Sequence, residues 1–411
     1  MDLGVMIQYY RTKNGMTQKD LASGICSISY LSKMENGSIQ PKDDLAELLF
    51  ERLDISFSEI TSYDEDDINK KIQQLYKKIQ QNDHDSSTSL VEELERIITP
   101  FHRTETQNFF LLVHFYYLIN ERDSEKFSLM APEVLRLENT FYEEKKYYYC
   151  KIIGLYYQLI SYPNKSNEYF EKARFLLEEH TLKDPEIYYL LALSLTSMKK
   201  PAYSNYYCQM ATDQFANEFL YSKVTDCYIL YGINYTILEA YDLAENYLKQ
   251  VLHSKPMGHT SDVREQAKHY LAVLSYWKEE YDVAINFFDD TVTEDLHSDQ
   301  VLEKYLILSK INYIKGELDQ AKEYLNKGKE LLKKEKHVSF QHRFFILDHQ
   351  IHGTIGEFHF IRKAEKVLLP FFEETEDSTS YNEVVQILAN IHYDREEFQV
   401  ATEYFKKLMI K

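Results

Sequence analysis

A short pattern, in which a small residue is followed within one helical turn by an aromatic residue or Leu, recurs along most of the chain at nearly constant spacing. It reads Ala244-Glu-Asn-Tyr-Leu, Ala284-Ile-Asn-Phe-Phe, Ala321-Lys-Glu-Tyr-Leu, Ala364-Glu-Lys-Val-Leu and Ala401-Thr-Glu-Tyr-Phe, at steps of 40, 37, 43 and 37 residues. Upstream, Ser204-Asn-Tyr-Tyr-Cys, Ser166-Asn-Glu-Tyr-Phe and a fainter Ser124-Glu-Lys-Phe continue it at steps of 40, 38 and 42. A period of this size demands a solenoid, because each supersecondary unit cannot bury its own apolar face and must stack on its neighbours. Several sites share a helix start as well: Tyr241-Asp-Leu-Ala, Tyr281-Asp-Val-Ala, Leu318-Asp-Gln-Ala and Phe398-Gln-Val-Ala. The small residue lets two helices of a pair approach, and the aromatic residue one turn later fills the space between pairs.

The composition agrees with an all-α chain. Gly 11 and Pro 8 in 411 residues leave little of the punctuation that hairpins and sandwiches need, while Tyr 35 and Phe 23 supply apolar surface to bury. Cys26, Cys150, Cys208 and Cys227 have no C-x-x-C spacing and are expected to be buried thiols in a reducing compartment. Met1 to Gln18 lacks a basic segment followed by an apolar one, so no signal peptide is expected. The longest apolar run, Phe109 to Ile119, is interrupted by His114 and is about half the roughly 20 residues a bilayer demands. A soluble, cytoplasmic protein without membrane contact is the expectation.

The net charge of −19 is unevenly distributed. Residues 1–42 carry five basic and three acidic side chains, a balance of +2, which leaves −21 for the remainder. Only the N-terminus suits phosphate, and the acidic remainder favours a single DNA-docking surface over general coating.

That N-terminus has the spacing of a helix-turn-helix. Leu3, Ile7 and Tyr10 recur at helical intervals and Gly15 follows as a stop, giving a first helix over residues 2–14. Thr17 with Asp20 three residues on forms a capping box for a second, and Leu21 and Ala22 face inward. Ser27 or Ser29 caps a third, whose Leu31 and Met34 point to the core. Leu45, Leu48, Leu49 and Leu53 supply a fourth after Pro41. The joint pattern resembles the lambda-repressor-like, XRE-type helix-turn-helix domain. That resemblance implies backbone contacts from Gln18 and Lys19 at the start of the second helix, and groove contacts from Ser27, Ser29, Tyr30, Lys33 and Asn36 on the third. It also implies a structural pair between Arg11 and Glu35.

The repeats resemble tetratricopeptide repeats with lengthened helices. The expected architecture is therefore a helix-turn-helix domain over 1–56, a hinge and linker helix over 57–81, and a right-handed α-solenoid of tetratricopeptide-like repeats over 82–411. The acidic run Asp64-Glu-Asp-Asp67 reads as solvated surface and Trp277 as a repeat-packing residue.

Reader and array together resemble the peptide-pheromone regulators of Gram-positive bacteria, the group containing Rap, NprR, PlcR, PrgX and Rgg proteins, with length and array most like the NprR type. The resemblance implies a homodimer or larger homo-oligomer that binds operator DNA and is switched by a short signalling peptide in the concave groove of the array. It further implies peptide contacts from Asn side chains on the first helix of each pair, since an amide donates to and accepts from an extended backbone at once. Asn234, Asn312 and Asn390 occupy such positions, with Tyr276, Tyr313 and Lys310 on comparable faces. Two other readings stand beside this one. Rap-type relatives also bind a response regulator and hasten loss of its phosphoryl group, and Gln73, Gln74 and Gln107 lie in the corresponding region; a phage or toxin-antitoxin repressor would instead sense a protein in the same groove. An enzyme in its own right is not expected, because G-x-x-x-x-G-K, G-x-G-x-x-G, G-x-S-x-G and H-E-x-x-H are all missing. His342, His349, His352 and His359 cluster without an acidic or Cys ligand at matching spacing, so no metal, cofactor or catalytic residue is assigned.

Overall fold

A computed structural model describes residues 3–55, 65–98, 102–254, 261–334, 337–375 and 377–409. Every regular element among them is helical. The chain divides into two compact units, Met1–Ile152 and Ile153–Lys411, and the division falls within the helix Glu143–Leu159. Of the hinge expected over 57–67, residues 57–64 lie outside the described residues, while Glu65, Asp66 and Asp67 form the first turn of a helix.

In the first unit, α1 (Leu3–Lys13), α2 (Gln18–Ala22), α3 (Ile28–Glu35) and α4 (Asp43–Arg52) enclose one small core. Met6, Ile7, Leu21, Ala22, Leu31, Met34, Ala46, Leu49, Phe50 and Leu53 fill it, with Leu3, Tyr10 and Leu45 partly buried at its margin. Leu48, expected on the buried face of the fourth helix, is instead exposed. Ala46, Leu49, Phe50 and Leu53 hold the i, i+3, i+4, i+7 stripe, which leaves Leu48 on the opposite side.

The expected linker helix is α5 (Glu65–Gln80), which packs against α6 (His84–Ile97) and α7 (Thr104–Asn120). Ile68, Ile72, Leu75, Tyr76 and Ile79 form its buried stripe, so it is part of a folded bundle. The apolar run within α7 is a core helix: Phe109, Phe110, Leu112, Val113, Phe115, Tyr116, Leu118 and Ile119 are all buried. α8 (Ser124–Leu135) and α9 (Glu143–Leu159) follow. The faint repeat site at Ser124 does not match, because Ser124 is exposed at the first position of α8 and Phe127, one turn later, is the buried residue.

The second unit runs through α10 (Pro163–Glu179), α11 (Glu186–Ser197), α12 (Pro201–Asn217), α13 (Tyr221–Ile237), α14 (Tyr241–His253), α15 (Ser261–Trp277) and α16 (Tyr281–Asp289). It continues through α17 (Ser298–Ile314), α18 (Leu318–Lys334), α19 (Val338–Ile351), α20 (Phe358–Lys363), α21 (Leu369–Glu374), α22 (Ser378–Asp394) and α23 (Phe398–Met409). The clusters of its core join runs of consecutive helices. Ala244 and Leu248 of α14 pack on Leu271 and Leu274 of α15. Ala284 and Phe288 of α16 join Ala272 of α15 to Ile307, Leu308 and Ile311 of α17. The small residues of the repeat, Ser166, Ser204, Ala244, Ala284, Ala321, Ala364 and Ala401, are all buried.

Ala364 opens a π-helical stretch, Ala364–Leu368, and lies one turn further into its helical segment than its counterparts. That displacement accounts for the uneven 43- and 37-residue steps on either side of it.

The turn inside each pair has one recurring form. Ser161, Lys199, Glu239, Glu279, Gly316, Gly353 and Glu396 all adopt positive φ. At Glu239 the flanking bonds run from Ala240 N to Tyr235 O at 2.9 Å and from Glu239 N to Thr236 O at 3.1 Å, the Schellman arrangement. Close helix approach is enforced by glycine at Gly232 and Gly328, where a Cβ would stand 2.6 Å from the Leu248 side chain and 2.1 Å from the Phe344 ring. Trp277, expected as a packing residue, is half exposed at the end of α15, its ring edge-on to Tyr276.

Candidate functional site

The reader is held by polar groups that satisfy one another. Arg11 Nε and Nη2 donate to Glu35 Oε1 and Oε2 at 2.6 and 2.9 Å, and its Nη1 donates to Met16 O at 2.9 Å. Gln18 Nε2 donates to Glu35 Oε2 at 2.7 Å. One buried carboxylate thereby ties the end of α1, the start of α2 and the end of α3, fixing how α3 is presented. The hydrogen bond to Glu35, with its charge, holds the Arg11 guanidinium above its ordinary pKa against the opposing effect of burial.

The helix ends carry the expected caps. Thr17 Oγ1 accepts from Asp20 N at 3.2 Å while Asp20 Oδ2 accepts from Thr17 N at 3.1 Å, and the hydrogen bonds from Thr17 hold the Asp20 carboxyl below its usual range. Ser27 Oγ accepts from Tyr30 N at 3.2 Å, which places Ser27 at the N-cap of α3. From α4, Arg52 Nη1 donates to Leu21 O at 3.1 Å and to Ser23 O, closing the C-terminal end of α2.

Around this frame Lys19, Ser27, Ser29, Lys33 and Asn36 are exposed, whereas Gln18 and Tyr30 are half-buried. Tyr30 rests against the reader's core, and Asn36 forms the C-cap of α3. Neither Lys19 nor Lys33 forms an ion pair among the described residues, so both cations are available to phosphate.

In the second unit the six predicted ligand residues separate into three pairs. Asn234 is fully buried: its Nδ2 donates to Ser204 Oγ and Asn205 Oδ1, both at 2.8 Å, and its Oδ1 accepts from Thr196 Oγ1 at 2.7 Å. Its amide is used in joining α11, α12 and α13, a packing role where a ligand contact was expected. Asn312 is buried too, with Nδ2 donating to Leu308 O at 2.7 Å and Oδ1 without a protein partner. Asn390 and Tyr313 reach solvent. Tyr276 and Lys310, from α15 and α17, converge on Glu383 of α22. Lys310 Nζ donates to Glu383 Oε2 at 3.0 Å, and Tyr276 is pushed up to about 12 by burial and by the charge of Glu383.

Sequence reasoning missed the residues beside them. Tyr189, Asp226, Tyr270, Glu303 and Arg343 come from the first helices of five successive pairs, and neighbouring members sense one another's charge. All five are partly buried, and Tyr189, Asp226, Tyr270 and Glu303 are closely surrounded by protein, as expected of side chains lining an inward face. Burial lifts the Tyr189 and Tyr270 hydroxyls well above their ordinary values. Burial also raises the Asp226 carboxyl to about 6, with Lys223 opposing and Glu186 adding to the rise. For Glu303, burial works upward, but the hydrogen bond from His269 Nε2 at 2.9 Å and the charges of His269, Arg343 and Lys199 prevail and hold it low. Their steps of 37, 44, 33 and 40 residues are too uneven to stand out as a period, so nothing in the sequence singled them out before the inward helix of each pair was known.

Among the described residues no group of three or more His, Cys, Asp or Glu is arranged to hold a metal ion. His349 is bonded to Thr354 Oγ1 at 2.7 Å, and His342 stands edge-on to Phe371. Gln73 and Gln74 are exposed, while Gln107 Nε2 donates to His102 O at 2.6 Å. Cys150, Cys208 and Cys227 are buried free thiols and Cys26 is partly buried. No described helix is long and apolar enough to cross a membrane.

Fold and site define a class: an all-α chain with a helix-turn-helix reader at its N-terminus and a repeat array whose inward face carries enclosed charges and tyrosines. Comparison with known proteins agrees. Residues 7–60 match the helix-turn-helix family HTH_3. The transcriptional activator NprA of Geobacillus stearothermophilus is 24% identical over 403 residues, covering 94% of this chain and 97% of that protein. NprR in complex with its cognate peptide NprX superposes with a TM-score of 0.70 at 18% identity, covering 84% of this chain and 98% of that one. A Rap protein complexed with competence and sporulation factor gives 0.70 at 17% identity, covering 84% and 97%. Taken together, these matches show a helix-turn-helix domain at the N-terminus and, over most of the chain, similarity to NprA and the fold of the NprR and Rap structures.

Proposed function

We propose that this chain is a cytoplasmic, peptide-responsive transcriptional regulator, in which the helix-turn-helix binds operator DNA and the inward face of the array takes a short signalling peptide. The observation that carries the reading is the pairing, in one chain, of a rigid reader with two unpaired lysines and an array whose first helices present Tyr189, Asp226, Tyr270, Glu303 and Arg343 to one enclosed, water-reachable face. NprA, similar along nearly its whole length, supports the regulatory role, and the NprR structure, solved with its cognate peptide, supports the ligand class.

In this reading Lys19 and Lys33 meet phosphate, and Gln18, Ser27, Ser29, Tyr30 and Asn36 complete the DNA face. Tyr276, Lys310, Tyr313 and Asn390 border the ligand, while Asn234 and Asn312 shape the face from behind it. A single helix-turn-helix binds weakly, and two must stand about 34 Å apart, or a multiple of that, to occupy successive major grooves. A homodimer whose peptide changes that spacing controls occupancy, and the peptide shifts the equilibrium only by its differential affinity for the two forms.

The test is operator binding by the full chain to its own upstream DNA at fixed salt, with and without short peptides encoded beside its gene. A peptide-dependent change in affinity or stoichiometry is expected. Binding indifferent to every such peptide removes the peptide from the reading and leaves the DNA-binding role alone.

A further inference from the structure

The side of α3 that meets solvent is polar except at one position. Ser29 and Lys33 stand one turn apart on it, and the caps Ser27 and Asn36 close its two ends. Ile28, in the first turn, is 48% exposed. Ile25, Cys26 and Tyr30, close by in sequence, rest against the reader's core, and Leu31 and Glu35, one and two turns further along the same side of α3, are buried. Ile28 is left out of that core although it is as apolar as Leu31.

A lone exposed isoleucine is ordinary on a protein surface, so it is the position that gives this one meaning. Residues at the N-terminal end of a recognition helix are those that meet base edges in the major groove. Here Ser27 Oγ is committed to capping, accepting from Tyr30 N at 3.2 Å, and Tyr30 is half-buried. Ser29 is short. Ile28 is therefore the longest side chain that this end of α3 offers to a groove. Its β-branch restricts rotation about χ1, so contact costs little side-chain entropy. The bonds of Glu35 to Arg11 and Gln18 fix α3 before DNA arrives.

The apolar group that a base edge presents in the major groove is the C5-methyl of thymine; the other positions present donors and acceptors. Ile28 gains by covering that methyl, because both groups leave water. It loses where it covers the N7 or O6 of a purine or the N4 amino group of cytosine, because it displaces water and offers no hydrogen bond in return. One side chain thereby favours thymine and disfavours its competitors.

We propose that Ile28 is a specificity residue of the reader, selecting thymine through its C5-methyl at one position in each half of the operator. The proposal rests on the DNA-binding reading and specifies part of the sequence recognised. Lys19 and Lys33, as phosphate contacts, add affinity for every duplex, whereas Ile28 decides among duplexes.

The probe is a pool of random DNA duplexes selected on the full-length protein at fixed salt, with and without the short peptides encoded beside its gene. Each thymine enriched in a half-site is then replaced in turn by deoxyuridine, which differs only in lacking the methyl. At one of them wild type is expected to bind about fourfold more weakly per half-site. Ile28→Ala is expected to bind the two duplexes equally, and Ile28→Val to keep most of the preference. Lys33→Ala is expected to weaken both duplexes alike and leave their ratio unchanged. Because the result is a ratio, a general loss of affinity in any variant cancels. A ratio of one in wild type at every enriched thymine, or the same ratio in wild type and Ile28→Ala, overturns the assignment and leaves the DNA-binding reading intact. Retention of no selected duplex by wild type under either condition overturns both.

Discussion

The reader and the array handle buried polarity in opposite ways. Around α1 to α4 the charged groups are closed on themselves: Glu35 takes Arg11 and Gln18 together, and the result is a rigid frame with cations left only on its surface. Along the array, among the described residues, Asn312 Oδ1, His269 Nδ1 and Arg343 Nε lack hydrogen-bond partners, and Asp226 is enclosed at a raised pKa. A surface that reads DNA must keep one geometry, whereas a face that responds to a ligand keeps polar groups which that ligand can satisfy. The apolar cores differ in the same sense. The reader has one core shared by four helices, and the array has a chain of nearest-neighbour clusters, so a change at one pair is passed on through its neighbours.

That contrast is most exposed to Arg11→Ala. It leaves Glu35 buried with only a neutral donor and is expected to destabilise the reader by about 3 kcal/mol or more. Hydrogen exchange should show lost protection confined to residues 3–55, and equal loss across the array would end the idea that the reader's polar network is self-contained.

Gly328→Ala tests the other side. A methyl directed at the buried Phe344 ring should cost between about 1 and 3 kcal/mol in the array and leave reader protection unchanged. Asn234→Ala removes the hydrogen bonds to Thr196, Ser204 and Asn205 and leaves a buried gap, and should cost between about 1 and 3 kcal/mol, whether or not peptide is present. A loss of peptide affinity with stability intact would return Asn234 to the ligand site.

The pH response follows from Asp226. Its folded pKa, about 6, lies above the ordinary 3.8, so the folded array binds more protons between those values and loses stability as pH rises through them. Asp226→Asn should therefore stabilise the array at pH 7 and have no such benefit below pH 3.8. A melting temperature that responds to pH identically in both proteins would show that the carboxylate is not enclosed in solution. The smallest effect is expected from Lys33→Ala, which removes the phosphate contact proposed for it and should lower the slope of log affinity against log salt by about 1 without altering stability.

Much of this was legible in the chain. The repeat period placed helix pairs along the second unit, the Thr17 capping box appears as its spacing predicted, and the Arg11–Glu35 pair appears as the helix-turn-helix resemblance implied. The cap is local and the repeats keep a near-constant register, so sequence carries them directly. The errors share one cause: Leu48, Trp277 and Asn234 were assigned a face from residue type, and the neighbours that choose the face lie a helix or a repeat away. A leucine one position out of phase stays exposed, and an amide surrounded by Thr196, Ser204 and Asn205 becomes packing.

By itself, then, the sequence determined an all-α chain, a helix-turn-helix over its first residues and an array with a period near 40, because periodicity, caps and small-residue spacing act through the chain's own helical geometry. Only the tertiary structure decided which polar groups satisfy one another and which are left facing water. Lys310 and Glu383 lie 73 positions apart, and the 3.0 Å hydrogen bond between them depends on the summed rotation of every intervening repeat, a quantity that no single repeat encodes.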